Sequence, residues 1–257
     1  MPGLTESELA KFAAAQRSVG FVEDGMKLGL GTGSTAAWMV RCLAARARAE
    51  GLRLTCVPTS DRTAAQAKDL GLEVVSLDEA GWLDLTIDGA DEIDPAMNLI
   101  KGGGGAHLRE KAGAMASDRM VVIADPGKEV VQLGAFALPI EVLSFGLDSS
   151  VTQIARVLEN AEVAARATQV RMAGDAPFRT DEGNCIVDAN LGAIGQPEAL
   201  AHALNALPGV VETGLFLGVC DSVVIGHGDG RVDVIAAPGA APETSRVDPA
   251  EAAHLPG

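Results

Sequence analysis

The sequence predicts an α/β protein, a parallel-sheet domain joined to a smaller α+β one. Three observations carry this. Short apolar runs at residues 26–30, 52–57, 73–76, 83–87 and 120–124 read as buried strands. Segments with apolar residues at helical spacing fall among them, and strands that alternate with helices pair in parallel through right-handed crossovers. After Gly134 the rhythm changes to strand, helix, strand, strand, helix, strand, which is the split βαβ arrangement.

Taken in order, residues 5–22 read as a helix with Thr5 as N-cap and Glu8, three residues later, forming a capping box. Lys11 lies on this helix. The strand at 26–30 runs at once into the glycine-rich stretch G-L-G-T-G-S-T-A, residues 29–36, and then into a helix reaching about residue 49 with Ala37, Val40, Ala44 and Ala47 on one face. Strand, glycine turn and helix is the geometry that puts an anion on a helix N-terminus. Thr32, Ser34 and Thr35 add hydroxyl donors around Gly33. The second strand, 52–57, turns through P-T-S-D-R-T, residues 58–63, into a helix ending near residue 70. Strands three to five follow, the last ending in A-D-P-G-K, residues 124–128. Loops after the carboxyl ends of parallel strands share one edge, where ligands bind, so residues 32–35, 59–63, 88–91 and Lys128 are expected on one rim.

The second part reads as strand 137–143, helix 149–160, strands 163–172 and 184–189, helix 197–207 and strand 210–217. Runs at 223–226 and 232–236 flank Asp229-Gly230, a hairpin signal, and are expected to return to the first domain. The expected division is therefore 1–136 with 218–237, then 137–217, and a tail at 238–257. That tail is rich in Ala, Pro and Glu and is expected to be mobile.

Composition excludes several classes. The net charge of −15 argues against nucleic acid or an anionic membrane as partner, because phosphate backbones are bound through basic patches. Cys42, Cys56, Cys185 and Cys220 are far apart and form no C-x-x-C pair, so they read as small core residues of a reducing compartment. The N-terminus is acidic and lacks the apolar core of a signal peptide. No run is long enough to span a bilayer. A cytoplasmic protein is the expectation.

The chemistry concentrates in residues 85–111, L-T-I-D-G-A-D-E-I-D-P-A-M-N-L-I-K-G-G-G-G-A-H-L-R-E-K. Asp88 and Asp91 flank a Gly89-Ala90 turn at the end of a strand. Lys101 precedes four glycines, Gly102, Gly103, Gly104 and Gly105, and a helix-like segment carries Arg109, Glu110 and Lys111. Consecutive glycines cost the fold stability, but their amides approach a bound oxyanion without obstruction. Together these groups read as a small catalytic cup. The plain alternative is an Asp-Gly turn, a flexible loop and a solvated helix face.

Other ligands fit less well. Gly31, Gly33 and Ala36 match a loose dinucleotide fingerprint, yet the acidic residue expected after the second strand is replaced by Pro58-Thr59. A methyltransferase reading wants an acid where Gly29 stands. His107 near Asp88, Asp91 and Asp94 suggests a metal, but the D-G-A-D-E-I-D spacing is not that of a calcium loop. A bare phosphate or sugar-phosphate site fits better, with no metal.

The motifs G-T-G-S-T (31–35), P-T-S-D-R-T (58–63), D-G-A-D-E-I-D (88–94), K-G-G-G-G-A-H-L-R-E-K (101–111) and I-A-D-P-G-K (123–128) closely resemble those of type A ribose-5-phosphate isomerases. The likeness continues through L-P-I-E-V (138–142) and L-P-G-V-V-E-T-G-L-F (207–216), covering about residues 5 to 236. It implies a Rossmann-like domain with an inserted ferredoxin-like one, and interconversion of ribose 5-phosphate and ribulose 5-phosphate through an enediolate, without metal or organic cofactor. By this likeness Glu110 is the base moving a proton between C1 and C2. Asp88, Asp91 and Lys101 assist ring opening and proton traffic, Lys101 and the amides of Gly102, Gly103 and Gly104 hold the oxyanion, and Thr32, Gly33, Ser34, Thr35, Gly89, Ala90, Lys128 and Lys11 contact the sugar phosphate. A homodimer or homotetramer is expected. His107 departs from the family pattern, which has an aliphatic residue there. The alternative is a non-catalytic sugar-phosphate sensor of the kind some transcriptional regulators carry. It calls for a DNA-binding domain in front, where only about 25 residues precede the first strand, and the acidic balance opposes it.

Overall fold

Five strands of the first half and three from the end of the chain assemble into one eight-stranded sheet, in the order Glu243–Arg246, Arg231–Ile235, Ser222–Gly226, Met120–Ala124, Leu85–Gly89, Lys27–Leu30, Thr55–Pro58, Glu73–Val74. The six strands from Ser222–Gly226 to Glu73–Val74 are parallel, and the two at the other edge are antiparallel. Every residue of Met120–Ala124 and Ser222–Gly226 is buried, so the sheet is covered on both faces at its centre, as a parallel sheet must be. The computed structural model describes residues 4–255. The first three residues of the expected signal-free N-terminus, and the last two of the expected tail, lie outside the described residues.

Two compact units divide the chain. One holds the residues up to Gly89, Arg109–Lys128 and those from Val219 on, and the other holds Ala90–Leu108 with Glu129–Gly218. The core of the first is built from helices Glu6–Ser18 and Ser34–Glu50 against the sheet, with Phe12, Trp38, Met39, Leu43, Leu28 and Ile87 among its buried side chains. Phe12 and Trp38 meet edge to face at 5.8 Å, a geometry favoured by ring quadrupoles. Thr5 caps the first helix through Glu8 N at 3.2 Å, but the reciprocal half of the expected capping box is not made. The Glu8 carboxylate instead accepts from Trp38 Nε1 at 2.8 Å and pairs with Lys11 at 3.3 Å. A capping box does open the short helix Leu77–Ala80, through Ser76 and Glu79.

The second unit contains a four-stranded antiparallel sheet in the order Val210–Thr213, Leu138–Val142, Cys185–Asn190, Ala167–Val170. Helix Leu147–Glu159 follows its first strand in the chain and Pro197–Asn205 its third, which is the ferredoxin-like arrangement. Its core gathers Ile140, Val142, Ile154, Leu158, Val187 and Leu204. A second, three-stranded sheet orders Leu215–Phe216, Leu99–Ile100 and Glu92–Ile93.

Further expectations change. The run at 210–217 is not one strand: Gly214 breaks it, because a β-carbon there would collide with the Lys101 carbonyl. The expected mobile tail contains strand Glu243–Arg246, paired with Arg231–Ile235, and the 3-10 helix Pro249–His254 with Ala252 buried. Asp229 to Arg246 at 2.6 Å and Thr244 Oγ1 to Asp233 at 2.7 Å hold the strand in place, so polar pairing orders a stretch that lacks an apolar pattern.

Candidate active site

The chain enters the large sheet at Lys27–Leu30, adds Thr55–Pro58 and Glu73–Val74 on one side, then crosses to add Leu85–Gly89 on the other. Outside the carboxyl ends of the two strands where the order reverses lies the natural binding crevice of an open α/β sheet. Residues 31–35 follow one of these strands, and Asp88 ends the other.

Gly31 is fixed in place by Asp88: a β-carbon at 31 would fall inside the carboxyl group and against its Cα. Asp88 is fully buried. Its Oδ1 accepts hydrogen bonds from Thr32 N at 3.0 Å and Gly89 N at 2.7 Å. The Thr32 hydroxyl lies 2.8 Å from both Thr59 Oγ1 and Ser60 Oγ. Thr63 Oγ1 closes the group by donating to Gly31 O at 3.0 Å. Gly33 is the N-cap of helix Ser34–Glu50 at φ 121°, a conformation only glycine adopts at ease, and no side chain caps that helix end. The first amides of the helix, with Ser34 exposed beside them, form a site suited to an oxyanion.

Lys128 ends the 3-10 turn Pro126–Lys128, which leaves the carboxyl end of Met120–Ala124 and so falls on the same edge of the sheet. Lys11 pairs with Glu8 on the first helix. Glu110 stands in the first turn of helix His107–Met115 and is 3% exposed. Its neighbour Arg109 is bound to Asp61 at 2.7 Å.

In the second unit, Asp91 is half-buried and its Oδ2 accepts from Gly103 N at 2.8 Å. The Gly103 amide, expected to serve an oxyanion, is thus engaged with a carboxylate. Lys101 is 2% exposed. Its amide donates to Gly214 O at 2.9 Å, and its Nζ lies 5.4 Å from the centre of the Phe216 ring. The strand break at Gly214 therefore positions the lysine backbone. Gly102 is buried at φ 104°, while Gly103 and Gly104 are exposed. His107 is fully buried, its ring packed beneath Gly102 where a β-carbon would lie 2.7 Å from Nδ1, and its Nε2 is 3.8 Å from Glu141 Oε2. Asp94 is spent on its own turn, accepting from Ala96 N and Asn98 N. No group of three or more potential metal ligands occurs among the described residues.

Sequence reasoning placed residues 59–63 on the rim but did not single out the hydroxyls of Thr59, Ser60 and Thr63. Their link to Thr32 was signalled only by a run of small hydroxyl residues after a strand. Cys42 and Cys56 are buried and pushed up to about 12 by desolvation, which makes them inert core thiols. No helix of the described residues is long and apolar enough to cross a membrane.

Fold and site together define an open α/β protein with a polar glycine turn at the switch point of its parallel sheet, joined to a ferredoxin-like unit. Residues 55–230 match the family model of ribose 5-phosphate isomerase A (phosphoriboisomerase A). Ribose-5-phosphate isomerase A of Cereibacter sphaeroides is 62% identical over 231 residues, 90% of this chain and 88% of that protein. Among solved structures, ribose 5-phosphate isomerase from Plasmodium falciparum superposes with a TM-score of 0.84 at 32% identity, over 90% of this chain and 99% of that one. A D-ribose-5-phosphate isomerase in complex with phospho-erythronic acid gives 0.83 at 32% identity, over 91% and 100%. The chain belongs to the ribose 5-phosphate isomerase A family. The sensor alternative finds no support among these relatives.

Proposed function

We propose that this protein interconverts D-ribose 5-phosphate and D-ribulose 5-phosphate, moving a proton between C1 and C2 through an enediolate. The observation that carries the reading is the buried Asp88 carboxylate hydrogen-bonded to Thr32 N. It couples a group able to handle hydroxyl protons to a turn able to hold a phosphate. Family membership supplies the substrate, and the relative that holds phospho-erythronic acid supports a phosphorylated ligand.

In this reading Glu110 is the C1–C2 base, worth about 10²–10⁴-fold. Asp88 opens the sugar ring, and Asp91 and Lys101 exchange protons with the O1 and O2 oxygens. The growing oxyanion falls to Lys101 and the amides of Gly102 and Gly104, each donor worth about 10²–10³-fold, while Gly103 holds Asp91. Gly89 and Ala90 line the sugar. Thr32, Gly33, Ser34 and Thr35 take the phosphate, with Lys128 and Lys11 as its cations. No metal or organic cofactor enters. The protein acts as a cytoplasmic homodimer or homotetramer.

The test is a coupled assay of ribose 5-phosphate with ketose appearance and solvent deuterium uptake at C2 followed together. Conversion accompanied by exchange is expected. A pure, folded protein that converts no ribose 5-phosphate would end the reading.

A further inference from the structure

The four glycines close one turn of their own, Gly105 N donating to Gly102 O at 2.9 Å, and a further contact fixes the direction of their peptide groups. That contact lies in the second unit. Arg171, just after strand Ala167–Val170, sends Nη1 to the carbonyl oxygens of Gly102 at 3.0 Å and Gly103 at 3.1 Å. Its remaining nitrogens grip Asp188, with Nε to Oδ2 at 2.9 Å and Nη2 to Oδ1 at 2.5 Å. Asp188 belongs to strand Cys185–Asn190, which pairs with Ala167–Val170. Both side chains are largely buried, 17% and 12% exposed, and the guanidinium also lies 5.9 Å from the centre of the Phe178 ring. A fork held bidentate by a carboxylate has lost its rotamer freedom before it meets the loop.

Peptide planarity turns this grip into a statement about amides. The described peptides are all trans, so each N–H points opposite the carbonyl of its own plane. The carbonyl of Gly102 shares its plane with the N–H of Gly103, and that of Gly103 with the N–H of Gly104. With both carbonyls on Arg171, both amides face away from it. The first of them donates to Asp91 Oδ2 at 2.8 Å.

We infer that Arg171 is a positioning residue for catalysis. It pins the glycine loop from behind so that the Gly103 amide orients the Asp91 carboxylate and the Gly104 amide faces the substrate, with Asp188 as its anchor. This rests on the isomerase reading for its kinetic consequence, but not for its structural one.

The test therefore has two readouts. Wild type, Arg171→Ala and Arg171→Lys are assayed with ribose 5-phosphate, and hydrogen–deuterium exchange is followed in peptides covering residues 101–106. A loop displaced by an ångström or so should lower kcat of Arg171→Ala by about 10²-fold with KM within about threefold. Added methylguanidinium should restore a tenth or more of the lost rate, which a fold defect would not allow. Exchange at 101–106 should quicken at least tenfold in both variants, with the strands Met120–Ala124 and Ser222–Gly226 unchanged. If Arg171→Ala does not fold, Arg171→Lys decides, because an ammonium cannot hold Asp188 bidentate and reach two carbonyls. Wild-type exchange at 101–106, or kcat within threefold of wild type, overturns the inference. An inactive wild type would end the isomerase reading instead and leave the exchange data to judge the clamp.

Discussion

Gly31 has no side chain because Asp88 occupies the space that one would fill. The contact is reinforced by the next peptide, whose N–H donates to the same carboxylate at 3.0 Å. The sequence of the glycine turn is thus dictated partly by the acid on the neighbouring strand, and the two must change together. Gly31→Ala is expected to push Asp88 out of line, costing about 1–3 kcal/mol of stability and about 10²-fold in kcat. Urea denaturation and steady-state kinetics check this. An alanine variant with wild-type values of both would show that the carboxylate has room to yield.

Glu110→Gln keeps volume and hydrogen bonding and removes the proton acceptor. Turnover is expected to fall by about 10²-fold or more with KM little changed. Exchange of the C2 hydrogen with solvent deuterium should collapse in parallel. Isomerisation and exchange within a few-fold of wild type would move the base to Asp88 or Asp91.

Lys128→Ala tests the phosphate assignment. Loss of one charge-assisted contact should raise KM for ribose 5-phosphate by about tenfold or more. Residual turnover of unphosphorylated ribose should hardly change. Equal losses on both substrates would give Lys128 a role in the fold or the chemistry.

Much of this was legible from residues alone, and the reasons are local. Five of the six parallel strands announced themselves as short apolar runs alternating with helices, and Asp88 lay at the end of one. The Asp229-Gly230 turn gave the hairpin of Ser222–Gly226 and Arg231–Ile235, since φ at Gly230 is 85°. Two-residue strands such as Glu92–Ile93 and Leu99–Ile100 are too short to show alternation. Arg171 was invisible because its partners, Asp188 and two backbone carbonyls, are specified by strand register and not by spacing in the chain. Strand Glu243–Arg246 was missed for the same reason: its pairing is made by polar groups with no periodicity to read.

Glu141 supplies a pH prediction. It is fully buried in strand Leu138–Val142, and desolvation pushes its carboxyl up. Glu182 and Glu212 act in the same direction, against hydrogen bonds from Asn184 and Thr180. His107 Nε2 also faces it, at 3.8 Å. A raised folded value means that the folded state binds the proton more tightly. The associated stability is full below the ordinary glutamate range and is lost as pH rises through the raised value. Glu141→Gln mimics the neutral acid and does not titrate. The Tm of wild type minus that of Glu141→Gln should therefore fall as pH is raised from about 4 to about 8. A difference that stays flat would mean the carboxyl titrates alike in folded and unfolded chains.

Strand Glu243–Arg246 bears on how molecules of this protein behave when crowded. It closes that side of the large sheet with a short strand of four residues of polar character, a poor template for another chain. A chain cut after Ala237 would instead present Arg231–Ile235, with Val232, Val234 and Ile235 along an open row of hydrogen-bonding groups. Such a chain is expected to keep its active-site loops and yet form strand-to-strand aggregates at concentrations where the full chain stays dispersed. Strand Glu243–Arg246 acts as a selvedge, stopping the weave from taking up a further thread.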